Sequence, residues 1–187
     1  MKYFNGDWFA DLYTLENILD EIEFYSGSER RKMLTHNGHK KTKENNSMLY
    51  GLTWRGYLTK TSTRTKCEKT GLYKTKVMDL YPELEDIFNE FSKFHFPDFQ
   101  FHSVMMNKSF ICPPHRDSKN IGESILVCCG DYQGGKTAVD IDGKIHKFDP
   151  RLAPVKFNGS KYLHWTEPFE GKRYSLVFFT NFRNIYK

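Results

Sequence analysis

Apolar residues recur at three- and four-residue intervals in two early stretches of the chain and at two-residue intervals through its second half. Leu12, Leu15, Ile18, Leu19 and Ile22 predict an amphipathic helix over residues 11–24, with its acidic residues facing solvent. A second helix is predicted in YPELEDIFNEFSKF, with Pro82 at the first helical position and Leu84, Ile87, Phe88 and Phe91 along one face. That face is expected to pack on a sheet. From Phe99 onward, FQFHSVMM, SILVCC, TAVDI, KIHKF, PVKF, KYLHW and RYSLVFFT are separated by the turn-rich clusters GDYQGG, DIDG, FNGS and FEGK. Short strands at such spacing predict an antiparallel β-sandwich or barrel.

Between the helices the pattern is weaker. Residues 26–47, SGSERRKMLTHNGHKKTKENNS, are polar and basic with little periodicity, which predicts a loop or a poorly ordered segment. MLYGLTWRGYLTKTSTRTK mixes aromatics and threonine with basic residues and suits a strand or hairpin that presents Arg55, Lys60, Arg64 and Lys66.

Charge sharpens this division. The net charge is +5, yet residues 26–76 hold thirteen bases against three acids, while residues 77–187 are balanced. A block of that sign attracts polyanions, with an affinity that falls as salt rises; a solvated face is the alternative. With 187 residues the chain fits one domain: an N-terminal helix and basic segment over 1–76, and a core over 77–187. Aromatic residues, 16% of the total, supply apolar area that the modest 39% hydrophobic content understates. No apolar run approaches the roughly 20 residues of a spanning helix, and the N-terminus lacks the order of a secretion signal. The expectation is a soluble intracellular protein, cytoplasmic or nuclear. Four cysteines, Cys67, Cys112, Cys128 and Cys129, lack the density of a disulfide scaffold and are read as reduced thiols, the adjacent pair as small buried hydrophobes.

Within PPHRDSKN, His115 and Asp117 stand two residues apart. Two histidines and one carboxylate on one face of an octahedron hold divalent iron while leaving positions open, which requires a distant histidine on a strand that folds back beside the pair. His164 in YLHWTEP follows forty-seven positions after Asp117, and Arg173 in KRYSLVFF lies nine beyond that, across the FEGK turn. A planar guanidinium grips a carboxylate through two parallel hydrogen bonds.

The ordered set His-x-Asp, His, Arg-x-Ser resembles the Fe(II)- and 2-oxoglutarate-dependent dioxygenases from about Phe99 to Phe179. That resemblance implies a mainly β fold with flanking helices, a double-stranded β-helix of jelly-roll type. HRDSKNIGES, GDYQGG and KRYSLVFF are similar, more narrowly, to the TET/JBP branch, which hydroxylates the methyl group of 5-methylpyrimidines in nucleic acid. Position by position, the resemblance implies that His115, Asp117 and His164 bind Fe(II) and that Arg173 and Ser175 hold the far carboxylate of 2-oxoglutarate. Asn120 falls where that branch touches its target base, and Asn107 matches an asparagine of the preceding strand, grouped here with the cosubstrate residues. Dioxygen would be the oxidant, and decarboxylation of the keto acid to succinate would accompany hydroxylation of the methyl group.

The partner implied is DNA, with its base unpaired or flipped from the stack. Arg55, Lys60, Arg64 and Lys66 are the candidate phosphate contacts, with Trp54 or Tyr57 for stacking. The chain lacks the cysteine-rich zinc module of TET enzymes, carries Lys119 where a histidine is common, and has Phe179 where AlkB demethylases need a second arginine. A 2-oxoglutarate hydroxylase of a protein side chain or small molecule, and an inactive nucleic-acid-binding relative, remain the alternatives.

Other groupings have plainer readings. His36 and His39 lack paired cysteines and read as loop histidines; Cys112 with His115 could ligate zinc, but Asp117 explains His115 better. Asp140, Asp142 and Gly143 suit a hairpin turn more than a calcium loop. His102 and His146 read as structural, Gly134 and Gly135 as tight-turn residues, and Trp165 equally as core or substrate contact.

Overall fold

The computed structural model describes residues 2–24, 46–53 and 72–180. Residues 26–45 of the expected loop, His36, His39, Trp54, Tyr57, Cys67 and the four basic residues Arg55, Lys60, Arg64 and Lys66 lie outside these residues; the last two positions of that loop, Asn46 and Ser47, instead open a strand.

Eleven strands and three helices are described. Helix α1 runs Trp8–Asp20, three residues ahead of its expected start, because Asp7 caps it: the Asp7 side chain accepts from the Ala10 amide. One acid of this helix departs from the expected outward face. Asp11 is buried, accepts from the amides of Asn5 (3.0 Å) and Gly6 (2.9 Å), and meets His95 Nε2 at 2.9 Å. Strand β1 (Asn46–Thr53) and the two-residue β2 (Tyr73–Lys74) precede a short helix α2 (Lys76–Leu80). Helix α3 spans Leu84–His95, with Pro82 in the turn before it rather than at its first position. Its buried face carries Leu84, Ile87, Phe88 and Phe91, as the spacing predicts.

The rest is β: β3 (Ser103–Lys108), β4 (Ser124–Cys129), β5 (Tyr132–Gly134), β6 (Thr137–Ile141), β7 (Lys144–Phe148), β8 (Val155–Phe157), β9 (Leu163–Thr166), β10 (Phe169–Gly171) and β11 (Tyr174–Phe179). They form a six-stranded sheet of order β2-β1-β3-β11-β4-β8, a three-stranded sheet β7-β6-β9 and a two-stranded ribbon β10-β5, antiparallel throughout.

Register sorts the residues of the large sheet into two faces. Met48, Met106, Leu176 and Val127 align across β1, β3, β11 and β4, as do Tyr50, Val104, Phe178 and Ile125, and all eight pack against α1 and α3 in one core. The opposite face turns Leu126, Cys128 and Val177 towards Val139, Phe157 and Tyr132, a second core between the sheets. Cys128 and Cys129 are therefore adjacent in sequence but belong to different cores, both buried as free thiols. β4 is buried along its whole length because both of its faces are covered, so SILVCC shows no polar alternation.

The sequence pattern missed β5 and β10, which lie in clusters read as turns. Their glycines are demanded by backbone meeting backbone: a Cβ on Gly134 (φ +80°) would lie 2.6 Å from the Pro168 carbonyl oxygen. Asp142 (φ +52°) and Gly143 (φ +85°) turn β6 into β7, and Asp140 Oδ1 accepts from the Gly143 amide at 2.8 Å. Two consecutive positive φ values are the hairpin expected there. No helix among the described residues is long and apolar enough to cross a membrane.

Candidate metal centre and anion site

His115, Asp117 and His164 come together although forty-seven positions separate the last two, and they form the one such cluster of three metal-ligating side chains among the described residues. Backbone pairing places them. The His115 and His164 amides each donate to the other's carbonyl oxygen at 3.0 Å, an isolated antiparallel bridge, and the Asp117 amide donates to the Gly159 carbonyl at 2.9 Å. The segment carrying His-x-Asp is thus tied to β9 and to the loop before it. Ligand atoms of the three side chains lie within 4.8 Å of one another.

Each imidazole is oriented by its far nitrogen. His115 Nδ1 lies 2.8 Å from the Pro113 carbonyl oxygen and His164 Nδ1 lies 3.0 Å from that of Tyr162. A carbonyl only accepts, so Nδ1 carries the proton in both rings and Nε2 is left as the ligand atom. Both Nε2 atoms face one carboxylate, His115 at 3.6 Å from Asp117 Oδ1 and His164 at 3.6 Å from Oδ2. The space between them favours positive charge. Burial opposes a charged His115, but the facing Asp117 carboxylate, and secondarily Cys112, lifts its pKa to about 10. Burial would raise the Asp117 pKa, yet the two imidazoles facing its oxygens hold it well below the usual carboxylate range. Two imidazoles and a carboxylate oxygen converging on one point suit a divalent transition metal such as iron.

The surroundings leave little slack. Phe157 meets the His164 ring edge-on at 4.9 Å, and a Cβ added to Gly159 would lie 3.0 Å from Asp117 Oδ2 and 3.3 Å from His164 Cε1. Asn120 Nδ2 donates to Asp117 Oδ2 (3.3 Å) and Ser124 Oγ (3.4 Å). The amide expected at a substrate base is thus engaged with the carboxylate ligand. Cys112 lies beside His115, Sγ to Nδ1 3.5 Å, but outside the three-residue cluster.

Arg173 sits at the end of the second core, 2% exposed. Its guanidinium lies 5.4 Å from the ring centroids of both Tyr132 and Phe169, and Gly135 passes so close that a Cβ would meet Arg173 Cδ and Nε at 3.0 Å. Nε and Nη2 are buried with no hydrogen-bond partner among the described residues. An uncompensated buried cation with two free donors is costly, and a bidentate carboxylate satisfies both needs. The buried Thr137 hydroxyl is likewise without a partner among the described residues, and the buried Tyr132 hydroxyl has there only the Cys128 thiol beside it. Thr137 shares the inward face of β6 with Val139, and Val139 pairs with His164, so these hydroxyls extend the same polar end of the barrel. Sequence reasoning missed both, since a tyrosine beside glycines and a threonine opening a strand give no signal of their own.

Ser175 and Asn107 are directly paired across β11 and β3, and a third residue, Ser47, completes a buried chain. Ser47 Oγ donates to Asn107 Oδ1 at 2.7 Å, and Asn107 Nδ2 donates to Ser175 Oγ at 3.1 Å. Asn107 therefore spends its amide on orienting Ser175, whose hydroxyl proton remains available on the face that carries Arg173. Trp165 is half-buried, its Nε1 donating to Glu167 at 2.7 Å, and His146 stacks on Phe148.

No protein-family model matches the chain, and no curated protein matches it. Among solved structures it is similar to a Pseudomonas putida prolyl-4-hydroxylase, with a TM-score of 0.50 and 13% identity over 97% of this chain and 90% of that one. It is also similar to a 2OG-Fe(II) oxygenase-family oxidoreductase from Burkholderia pseudomallei (TM-score 0.46, 14% identity, 76% and 72% covered). NgTET1 in complex with 5mC DNA gives a TM-score of 0.46 at 17% identity, covering 82% of this chain and 65%, just under two thirds, of that one. The likeness is one of fold alone: a mainly β chain with a few helices and a jelly-roll core like that of the prolyl-4-hydroxylase.

Proposed function

We propose that the protein is an Fe(II)- and 2-oxoglutarate-dependent dioxygenase that hydroxylates the methyl group of a 5-methylpyrimidine, thymine or 5-methylcytosine, in DNA. One observation carries the enzymatic part: a His115–Asp117–His164 cluster shares a barrel with a buried guanidinium whose Nε and Nη2 have no partner among the described residues. Nothing in an ordinary core requires both.

Each residue then has a task. His115 Nε2, His164 Nε2 and an Asp117 oxygen would hold the metal, and the Pro113 and Tyr162 carbonyls keep the imidazoles in the required tautomer. Arg173 takes the far carboxylate of 2-oxoglutarate through its two free donors, with Ser175, Tyr132 and Thr137 offering hydroxyls. Bound iron with 2-oxoglutarate supplies the activation of dioxygen and the oxidation of a C–H bond, coupled to release of succinate and carbon dioxide. The apolar wall of Leu126, Val139, Val155 and Phe157 keeps water from that chemistry.

The substrate reading rests on the HRDSKN, GDYQGG and KRYSLVFF resemblance and on charge. Arg116, Lys119 and Lys161 are exposed on the two loops that carry Asp117 and lead into His164, and Arg116 Nε donates to the Lys161 carbonyl at 3.1 Å, joining the loops. Asp142 offsets part of this charge. Cations beside the metal ligands suit a phosphate backbone whose base is turned inward, at a cost of roughly a few kcal/mol in unstacking.

The test is to incubate the full chain with Fe(II), 2-oxoglutarate and DNA containing thymine or 5-methylcytosine, then weigh the released nucleosides by mass spectrometry. A hydroxymethyl base that disappears in His115→Ala and Asp117→Ala variants is the expected result. Succinate formed with peptide or small-molecule substrates but no altered base would move the reading to a side-chain or metabolite hydroxylase. Absence of any metal-dependent turnover would leave a binding protein.

A further inference from the structure

Arg173 is held in place by its two neighbours in sequence, and both neighbours are held by one carboxylate of α1. Asp20 Oδ2 accepts from Lys172 Nζ at 2.6 Å, and Asp20 Oδ1 accepts from the Tyr174 hydroxyl at 2.7 Å. Glu16, one turn earlier, adds a second contact to Lys172 Nζ at 2.9 Å. Tyr174 points to the helix side of the sheet, fully buried, with Phe24 at 5.6 Å and Lys108 Nζ 5.4 Å from its ring. Residues 172 and 174 thus face α1 while Arg173 between them turns into the barrel.

The other end of the helix is linked to the surroundings of the same guanidinium through Arg151 and Tyr132. Trp8 Nε1 donates to the Arg151 carbonyl at 2.8 Å; Arg151 Nη1 donates to the Tyr132 carbonyl at 2.8 Å and its guanidinium lies 4.4 Å from the Tyr132 ring, against which Arg173 also rests. Leu12, Leu15 and Leu19 anchor α1 in the first core between these two contacts. Two ends of one helix are therefore linked to the surroundings of Arg173, through Lys172 and Tyr174 at one end and through Arg151 and Tyr132 at the other.

We propose that Asp20 is a positioning residue for the 2-oxoglutarate site: by holding Lys172 and Tyr174 together it fixes the aim of Arg173 and makes the N-terminal helix part of the cosubstrate-binding machinery. The inference rests on the reading of Arg173 as the anchor of the far carboxylate. A two-pronged guanidinium–carboxylate contact tolerates little misalignment, and small displacements of such groups cost large factors in affinity. The Asp20–Lys172 pair is partly exposed and contributes little to the stability of the fold, whereas the buried Tyr174 hydroxyl loses its acceptor in Asp20→Ala and keeps one in Asp20→Asn. The Asn variant and the thermal midpoints therefore separate positioning from unfolding.

The test uses the full chain with Asp20→Ala, which removes both contacts, and Asp20→Asn, which keeps an acceptor for Tyr174 without the charge. Binding of radiolabelled 2-oxoglutarate in the presence of Mn(II) is read by equilibrium dialysis, beside Mn(II) binding alone, thermal midpoints, and KM and kcat for succinate release. Asp20→Ala is expected to weaken 2-oxoglutarate about tenfold, in both Kd and KM, with kcat and Mn(II) affinity unchanged; Asp20→Asn falls between. In an Arg173→Lys background the same change should add nothing. Unaltered 2-oxoglutarate affinity in a folded Asp20→Ala variant overturns the inference, as does a parallel loss of Mn(II) binding and thermal midpoint, which marks a merely structural contact. If the wild-type chain itself binds no 2-oxoglutarate, the reading of Arg173 fails and takes this inference with it.

Discussion

His115 and His164 are bonded to each other through their backbones, amide to carbonyl at 3.0 Å in both directions, so the two imidazoles are set side by side before any metal arrives. Their ring centroids lie 4.2 Å apart. Preorganisation of this kind makes the site sensitive to small intrusions that leave the fold alone.

Gly159→Ala is such an intrusion. The backbone there accepts an alanine, but the new methyl would press on Asp117 Oδ2 and His164 Cε1. Metal affinity should fall by roughly 10- to 100-fold, the range of changes next to metal ligands. Equilibrium dialysis with Mn(II), paired with a melting curve that stays close to wild type, checks it.

Asn120 gives a second probe of the same carboxylate. Because its amide donates to Asp117 Oδ2, Asn120→Ala should lower metal affinity, again by about 10-fold or more. A side chain serving substrate alone would change the KM for DNA and leave Mn(II) binding untouched.

At the anion end, Arg173→Lys replaces a fork with a point charge in a pocket shaped around the fork. 2-Oxoglutarate binding should weaken by at least about thirtyfold, in line with the roughly 2–5 kcal/mol lost when a buried charge pair is broken. Tyr132→Phe should weaken it less. Metal binding should survive both, and dialysis with each ligand in turn separates the two outcomes.

Cysteine reactivity reports the two cores. Burial lifts the Cys128 thiol to about 11 and the Cys129 thiol well above the usual range, whereas Cys112 is half-buried. At pH 8 the two buried groups are almost wholly protonated and shielded. In a Cys67→Ser background, a thiol reagent should label Cys112 in the folded protein and all three after urea. Rapid labelling of Cys128 in the native state would contradict the packing.

Charge at the mouth is tested by the triple change Arg116→Ala, Lys119→Ala, Lys161→Ala. DNA affinity should drop and the slope of log K against log salt should shrink by about 2 to 3, since each phosphate contact contributes about 0.7 to 0.9. 2-Oxoglutarate affinity should not move. Filter binding at several salt concentrations measures both.

What the sequence determined by itself is the set of local periods and the order of chemical groups. SILVCC, TAVDI and KIHKF coincide with β4, β6 and β7 because short runs of strand-forming residues bounded by turn residues are set within a few positions. His115, Asp117, His164 and Arg173 stand out in the sequence through the resemblance of their order to that of the 2-oxoglutarate dioxygenases, and the fold brings the first three together. Tertiary structure decided the rest. Asp11 is an ordinary helix acid until the Asn5 and Gly6 amides and His95 fold over it, and Tyr132 and Thr137 are ordinary sheet residues until burial strips their hydroxyls of water. The same holds for Asp20, whose two contacts lie about 150 positions away at Lys172 and Tyr174. A hydrogen bond between distant residues depends on register and on the packing of α1 against the sheet, and neither leaves a periodic trace in sequence.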